Sequence, residues 1–307
     1  MGVRRAVDLA FEEARKTAEN GNPVYTLGPL IHNPKVLADL KTAGIKIINE
    51  NSINANNEPI TDKCSLSSAN CSLIIRAHGI SPLLEKKIHD IGCRIVDATC
   101  PKVKANQLKI RELIGDGYFI FLAGEAHHAE VEGLLGYAVS PQDEDENLTV
   151  NCVLAGNAEE ARKEAEIQFK KAEGIKPLSS NKTIKTALLS QTTISEDEYK
   201  TIGDEIKKFF PDLKIVNTIC AATRERQQAL RDILPQVDAV IIAGGEESAN
   251  TRRLLAIAEE SGKPCKLAEN ADGIPEEFYK FEKVGISAGA STPDVVVEGI
   301  EMALKTD

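Results

Sequence analysis

The chain has 307 residues, with 37 Lys and Arg against 47 Asp and Glu, for a formal net charge of −10. That acidity, with 4% aromatic residues and no Trp, argues against nonspecific nucleic-acid or anionic-membrane binding and against stacking platforms for single strands. The sequence shows no run of 18 apolar residues, no signal peptide and an odd set of seven cysteines without a dense framework, so it reads as a cytoplasmic protein that uses cysteine for packing or metal.

Met1 opens directly onto a helical stretch, MGVRRAVDLAFEEARKTAE. Short apolar runs then alternate with amphipathic stretches to the end of the chain. Strands are predicted at 24–28, 72–77, 94–98, 117–124, 186–191, 213–218, 238–245 and 283–289. Helices are predicted at 102–116, 157–172, 195–210, 223–235 and 251–262, the second a charged, solvated surface helix. Residues 49–63 read as a polar loop. This alternation predicts an α/β fold with mainly parallel sheets in three similar small domains, spanning 1–96, 97–212 and 213–307.

The similarity among the three is specific. CRIVDATCPKVKANQLKIREL places Cys100 between a strand and a helix, and LKIVNTICAATRERQQALRDI does the same for Cys220. His128 lies 28 residues past Cys100 and Ser248 lies 28 past Cys220, each after a further strand, and His32 follows the equivalent strand of the first repeat. A third set of strand ends carries His78, Thr192 and Ser291. Three such units imply pseudo-threefold packing with the carboxyl ends of the strands converging, where open α/β sheets bind their ligands.

Recurrence of cysteine at strand ends is unusual for a core residue and points to a metal. Soft thiolates favour zinc or iron–sulfur over hard cations. Three thiolates would leave one corner of a tetrahedron open, which suits a cluster with one iron free for substrate. Cys64, Cys71, Cys93, Cys152 and Cys265 have no repeat partners and read as structural. His32, His78 and His128, with Ser248, Asn250 and Ser291, sit where helix amino ends begin, a combination suited to phosphate or diphosphate. Glu130, two residues past His128, is the candidate proton donor or relay, and Thr192 could extend a proton chain beside it. Glu132 reads as a helix-start carboxylate, and His89 and His127 as ordinary surface or core residues.

GVRRAV, HN at 32–33, RAHG at 76–79, DATCP at 97–101, HHAEVEG at 127–133, SQTT at 190–193, the Cys220 turn, SAN at 248–250 and AGASTPD at 288–294 together resemble the 4-hydroxy-3-methylbut-2-enyl diphosphate reductases over nearly the whole chain. The resemblance implies a trefoil of three α/β domains around a [4Fe-4S] cluster held by three cysteines. It also implies two-electron, two-proton removal of the substrate's allylic hydroxyl, giving isopentenyl and dimethylallyl diphosphate. Carried onto this chain, it makes Cys100 and Cys220 cluster ligands and Glu130 the relay, helped by Thr192. His32, His78, His128, Ser248, Asn250 and Ser291 become diphosphate or substrate contacts, with Gln191 and Thr223 lining the pocket. An external donor such as ferredoxin or flavodoxin is implied, with no nucleic-acid or membrane partner.

The family's first cluster cysteine would stand immediately before Met1, so the sequence either starts at an internal methionine or is truncated. The strand leading to that cysteine is missing too, which would leave a sheet edge unpaired. Ala249 replaces a serine of the pattern, and Glu246 and Glu247 precede it. Two rivals are a metal-free phosphate-ligand-binding α/β protein and an inactive truncated homologue. The first is disfavoured because no GxGxxG follows a first strand and no P-loop is present.

Overall fold

A computed structural model describes residues 2–50, 71–139, 151–174 and 184–305. Residues 51–63 of the expected polar loop, and Cys64, lie outside them. The chain forms two compact units. The first comprises Met1–Ala77, Lys87–Cys100 and Cys220–Asp307, and the second comprises His78–Lys86 and Pro101–Ile219.

The first unit holds two sheets. One contains β1 (Val24–Leu27), β2 (Lys46–Ile48), β3 (Ser72–Ile75) and β4 (Arg94–Asp97), in the order β2-β1-β3-β4 and all parallel. The central strands VYTL and SLII are buried at every position, as expected for strands covered on both faces. The helix α1 (Gly2–Ala18) covers this sheet, and α2 (Pro34–Thr42) crosses from β1 to β2. In the other sheet, β9 (Ala239–Ala243) lies between β10 (Cys265–Ala268) and β11 (Val284–Ala288), again parallel. The outer side of β11 has no strand partner among the described residues.

The second unit holds β5 (Phe119–Ala123), β6 (Cys152–Ala155), β7 (Thr186–Ser190) and β8 (Lys214–Ile215), ordered β6-β5-β7-β8 and parallel. Its two cores lie on opposite faces. Phe121, Leu188, Ile202 and Ile206 are on one face, and Ile120, Leu122, Leu134 and Leu189 on the other.

The three sheets repeat one topology. From the first strand the chain steps outward to an edge, returns, and crosses to the other side. The strand order therefore reverses between β1 and β3, between β5 and β7, and between β9 and β11, and the turns after these strands open onto crevices. β4 and β8, which run into Cys100 and Cys220, are edge strands of the sheets that precede those cysteines. The edge strands β2, β6 and β10 carry no strong sequence signal. β2 is mostly exposed and β10 only partly covered, so neither has the unbroken apolar run of a central strand.

α1 shows how a helix is fixed to a sheet here. Ala6, Ala10, Glu13 and Thr17 form one buried stripe, and the two alanines let the helix approach closely. Buried Glu13 accepts a 2.6 Å hydrogen bond from the Ser72 hydroxyl and an ion pair from Arg94 at 3.2 Å. Removing the carboxylate strands a buried hydroxyl, so Glu13→Ala should lower unfolding stability by about 1–3 kcal/mol. Arg94 is 62% exposed, so Arg94→Met should cost at most about 1 kcal/mol. Urea denaturation distinguishes these outcomes, and equal losses would refute the buried-acceptor account.

Candidate active site at the strand carboxyl ends

In the first unit, the turn after β1 begins with Gly28 at φ +70°. A Cβ there would sit 2.7 Å from the Arg76 guanidinium, so glycine makes room for a buried Arg76 at the end of β3. Arg76 also pairs with Glu50. His32 follows, half-buried, and Asn33 caps α2, its side-chain oxygen accepting the Val36 N–H at 3.1 Å. Burial holds the His32 imidazole below its ordinary range, Arg76 and Arg252 reinforce the effect, and Glu247 opposes it.

The turn after β9 closes against the same place. A Cβ on Gly245 would lie 2.8 Å from the His32 carbonyl oxygen, so the two backbones pack directly. Ser248 caps α9 (Ala249–Glu260) through the Thr251 N–H. The turn after β11 is joined to it by the Gly289 N–H and the Thr292 hydroxyl, both donating to the Ala243 carbonyl, at 2.9 and 3.0 Å. The Thr251 hydroxyl packs against Gly244 and Gly289. Both polar atoms of the Asn250 amide and the hydroxyls of Thr251 and Ser291 are buried without a hydrogen-bond partner. Each unpaired group costs about 1–3 kcal/mol in an apolar setting, so their grouping marks a place built for a polar ligand.

Cys100 and Cys220 also belong to the first unit. Both are free and half-buried. The Cys100 N–H donates to the Ala77 carbonyl at 2.9 Å, and the Ala77 N–H donates to Leu30, which stitches three successive turns together. The amino end of α1 abuts this cysteine, since a Cβ on Gly2 would fall 2.2 Å from its Sγ. Cys220 is the N-cap of α8 (Ala221–Ile233), and its side chain makes no capping bond. Thr223 is buried in the first turn of α8.

In the second unit, His127 adopts the left-handed φ of +62° and turns the chain into His128, the cap of α5 (Ala129–Tyr137). His128 Nδ1 accepts the Glu130 N–H at 3.1 Å, which leaves Nε2 as the nitrogen available to donate. The His78 and His128 rings meet edge-to-face, with centroids 5.3 Å apart. Glu130 is buried, and its two oxygens accept the Thr192 N–H and hydroxyl, each at 2.8 Å. Gln191 is fully buried, but both ends of its amide brace neighbouring turns: Oε1 accepts the Glu125 N–H and Nε2 donates to Thr193.

The two units thus hold separate sets of the expected residues. His32, Cys100, Cys220, Thr223, Ser248, Asn250 and Ser291 lie in the first, and His78, His128, Glu130, Gln191 and Thr192 in the second. Arg76 and Thr251 are additions. Arg76 was legible in the RAHG motif, whereas Thr251 carries no sequence signal beyond its place after Asn250.

The family model described as LytB protein matches residues 1–305. The chain belongs to the LytB protein family. It is 38% identical over 303 residues to the 4-hydroxy-3-methylbut-2-enyl diphosphate reductase of Treponema denticola, covering 99% of this chain and 94% of the relative. The Aquifex aeolicus reductase is 35% identical, with 99% of this chain and 92% of that protein covered. A solved structure of (E)-4-hydroxy-3-methyl-but-2-enyl diphosphate reductase shares the fold at 32% identity and a TM-score of 0.64, over 100% of this chain and 95% of that one. The Plasmodium falciparum enzyme's structure, at 24% identity and a TM-score of 0.76, covers 96% of this chain and 82% of its own and supports the fold. This LytB protein is therefore an oxidoreductase of the diphosphate reductase type, built from three parallel-sheet α/β subdomains. No helix among its described residues is long and apolar enough to cross a membrane.

The depressed His32 pKa has a defined consequence for the LytB fold. Below the ordinary imidazole value of 6.5 the unfolded chain binds a proton that folded His32 resists, so stability falls as pH drops through that value. Stability measured by urea unfolding from pH 7.5 to 5.5 should fall less steeply in His32→Gln than in wild type. Parallel curves would show that the ring titrates normally when folded.

Proposed function

We propose that this LytB protein reduces (E)-4-hydroxy-3-methylbut-2-enyl diphosphate to isopentenyl and dimethylallyl diphosphate, a step that supplies isoprenoid precursors. The observation that carries the reading is the group of buried, unpartnered donors at Asn250, Thr251 and Ser291, beside the Ser248 cap and the His32 turn. A diphosphate supplies acceptors for those donors, and a helix amino end favours its charge. Glu246 and Glu247 are exposed, which lessens their repulsion of an anion.

Cys100 and Cys220 are soft, free donors of the kind a [4Fe-4S] cluster takes, and they are the proposed ligands within this chain. The resemblance implies three thiolates, and the amino end of α1 packs on the sulfur of Cys100, one of the two proposed here. When bound, the cluster supplies the electrons and a Lewis-acidic iron, with ferredoxin or flavodoxin as the proposed external donor.

The protein's own residues then do three things. Asn250, Ser248, Ser291 and His32 anchor the diphosphate away from the reacting carbon, which turns binding energy into orientation. His78 and His128 are proposed substrate contacts, and the Nε2 proton of His128 makes that ring a donor. Glu130 is the proposed relay for the proton delivered to the substrate. Its two bonds from Thr192 fix the carboxylate and make Thr192 the natural next link in a relay. Thr223 lines the Cys220 turn, and Gln191 keeps the second-unit turns in register.

Activity is tested with the diphosphate alcohol and a reduced ferredoxin or flavodoxin under anaerobic conditions, with the allylic and homoallylic diphosphates measured as products. Glu130→Gln should retain substrate affinity and lose roughly 10²–10⁴ in turnover; near-normal turnover removes Glu130 from the relay. Cys100→Ser and Cys220→Ser should each lose bound iron and the absorbance that accompanies it. Normal iron content in either variant overturns that ligand assignment.

A further inference from the structure

The opposite ends of β3 and β4 carry a feature unrelated to the strand carboxyl ends. Ser72 and Arg94 are register partners, and the Arg94 N–H donates to the Cys71 carbonyl at 3.0 Å. Cys71 and Cys93 are therefore the next facing pair in the ladder, one residue ahead of each strand. They are 1% and 8% exposed, and each carries a thiol that is not in a disulfide. A cavity of about 180 Å³, lined by Cys71, Ser72, Lys16, Thr17, Asn20 and Arg94, opens beside the pair.

Two thiols on facing residues of adjacent strands meet the main requirement for a disulfide, since their backbones already lie at ladder spacing. Their surroundings differ. Cys93 does not line the cavity, and burial together with the Cys71 sulfur pushes its thiol up to about 12. Cys71 borders the cavity, where the cations of Lys16 and Arg94 also lie. Both residues are nearly buried, so the cavity beside Cys71 is the route by which a small oxidant reaches a sulfur, since a buried cysteine is otherwise inert.

We propose that Cys71 and Cys93 are a peroxide-sensitive pair that closes to an intramolecular disulfide. Cys71, as the attacking sulfur, displaces water from hydrogen peroxide and becomes a sulfenic acid. The Cys93 sulfur then attacks that sulfur, releasing a second water and forming the S–S bond. The two thiols lose two electrons in all, and the peroxide is reduced to two waters that carry both thiol protons. A thiol reductant reverses the bond. The product ties the starts of β3 and β4, the strands that lead to Arg76 and Cys100.

The test uses the intact protein and reads bonds rather than activity. Wild-type protein is exposed to graded hydrogen peroxide, alkylated, and digested with trypsin without reduction. The expected product is residues 64–76 linked to 88–94, lighter than the two peptides together by two hydrogens and abolished by dithiothreitol. Fragmentation should place the link on Cys71, and Cys64→Ser should leave it intact. Cys71→Ser should leave Cys93 alkylatable after the same treatment. Because closure constrains the unfolded chain, the oxidised protein should also melt a few degrees higher, on the order of 4 °C. The proposal is overturned if both thiols remain alkylatable in wild type at peroxide levels that oxidise Cys100 or Cys220. A link through Cys64, or sulfinic acid on Cys71 without linkage, overturns it equally. None of these outcomes depends on the proposed reductase activity.

Discussion

Main-chain hydrogen bonds that continue the parallel ladders past the ends of the strands hold the chemistry-bearing turns of this protein. Cys100 bonds to Ala77 and Ala77 to Leu30 in the first unit, Gln191 bonds to Ala123 in the second, and Gly289 bonds to Ala243 in the third sheet. A loop free in solvent would have to order each functional side chain at an entropic cost of about 1–2 kcal/mol per residue. Here the central strands, buried on both faces, meet that cost, and the turns inherit their rigidity. Because the order of strands reverses beside the central strand in every sheet, each sheet presents its turns at a crevice.

Glycine and buried polar groups then shape those crevices. Gly28 admits the Arg76 guanidinium, and Gly245 admits the His32 backbone, so no side chain competes for the space. Some polar groups are spent on structure. Gln191 and Asn33 satisfy backbone donors, and Glu13 locks α1 to its sheet. Others, at Asn250, Thr251 and Ser291, are left without partners. The contrast separates scaffolding from the surface offered to a ligand, although all are equally polar and mostly buried.

Much of this was legible from residue patterns. The central strands, five of the helices after residue 100 and the parallel α/β class followed from unbroken apolar runs alternating with helical periodicity, whereas the spans of the helices at Ala129–Tyr137 and Asp294–Lys305 were not anticipated. The edge strands β2, β6 and β10 did not, because an edge strand needs no continuous apolar run and is defined by its neighbour. The recurrence at 28 residues placed His128 and Ser248 at equivalent caps, but in the first sheet the capping residue is Asn33, one past His32. That offset is invisible to spacing, because the turn after β1 differs in its backbone course.

The linear order of residues determined which side chains stand at strand ends, since alternation of apolar runs and helices fixes where each strand stops. It thereby singled out two cysteines, three histidines and Glu130 as chemistry rather than packing. Tertiary structure alone decided which polar groups have partners, that Glu130 is clasped by Thr192, and that Cys71 faces Cys93. Such contacts join positions 62 and 22 residues apart. They depend on register between strands, a property of paired backbones that no single stretch of chain possesses.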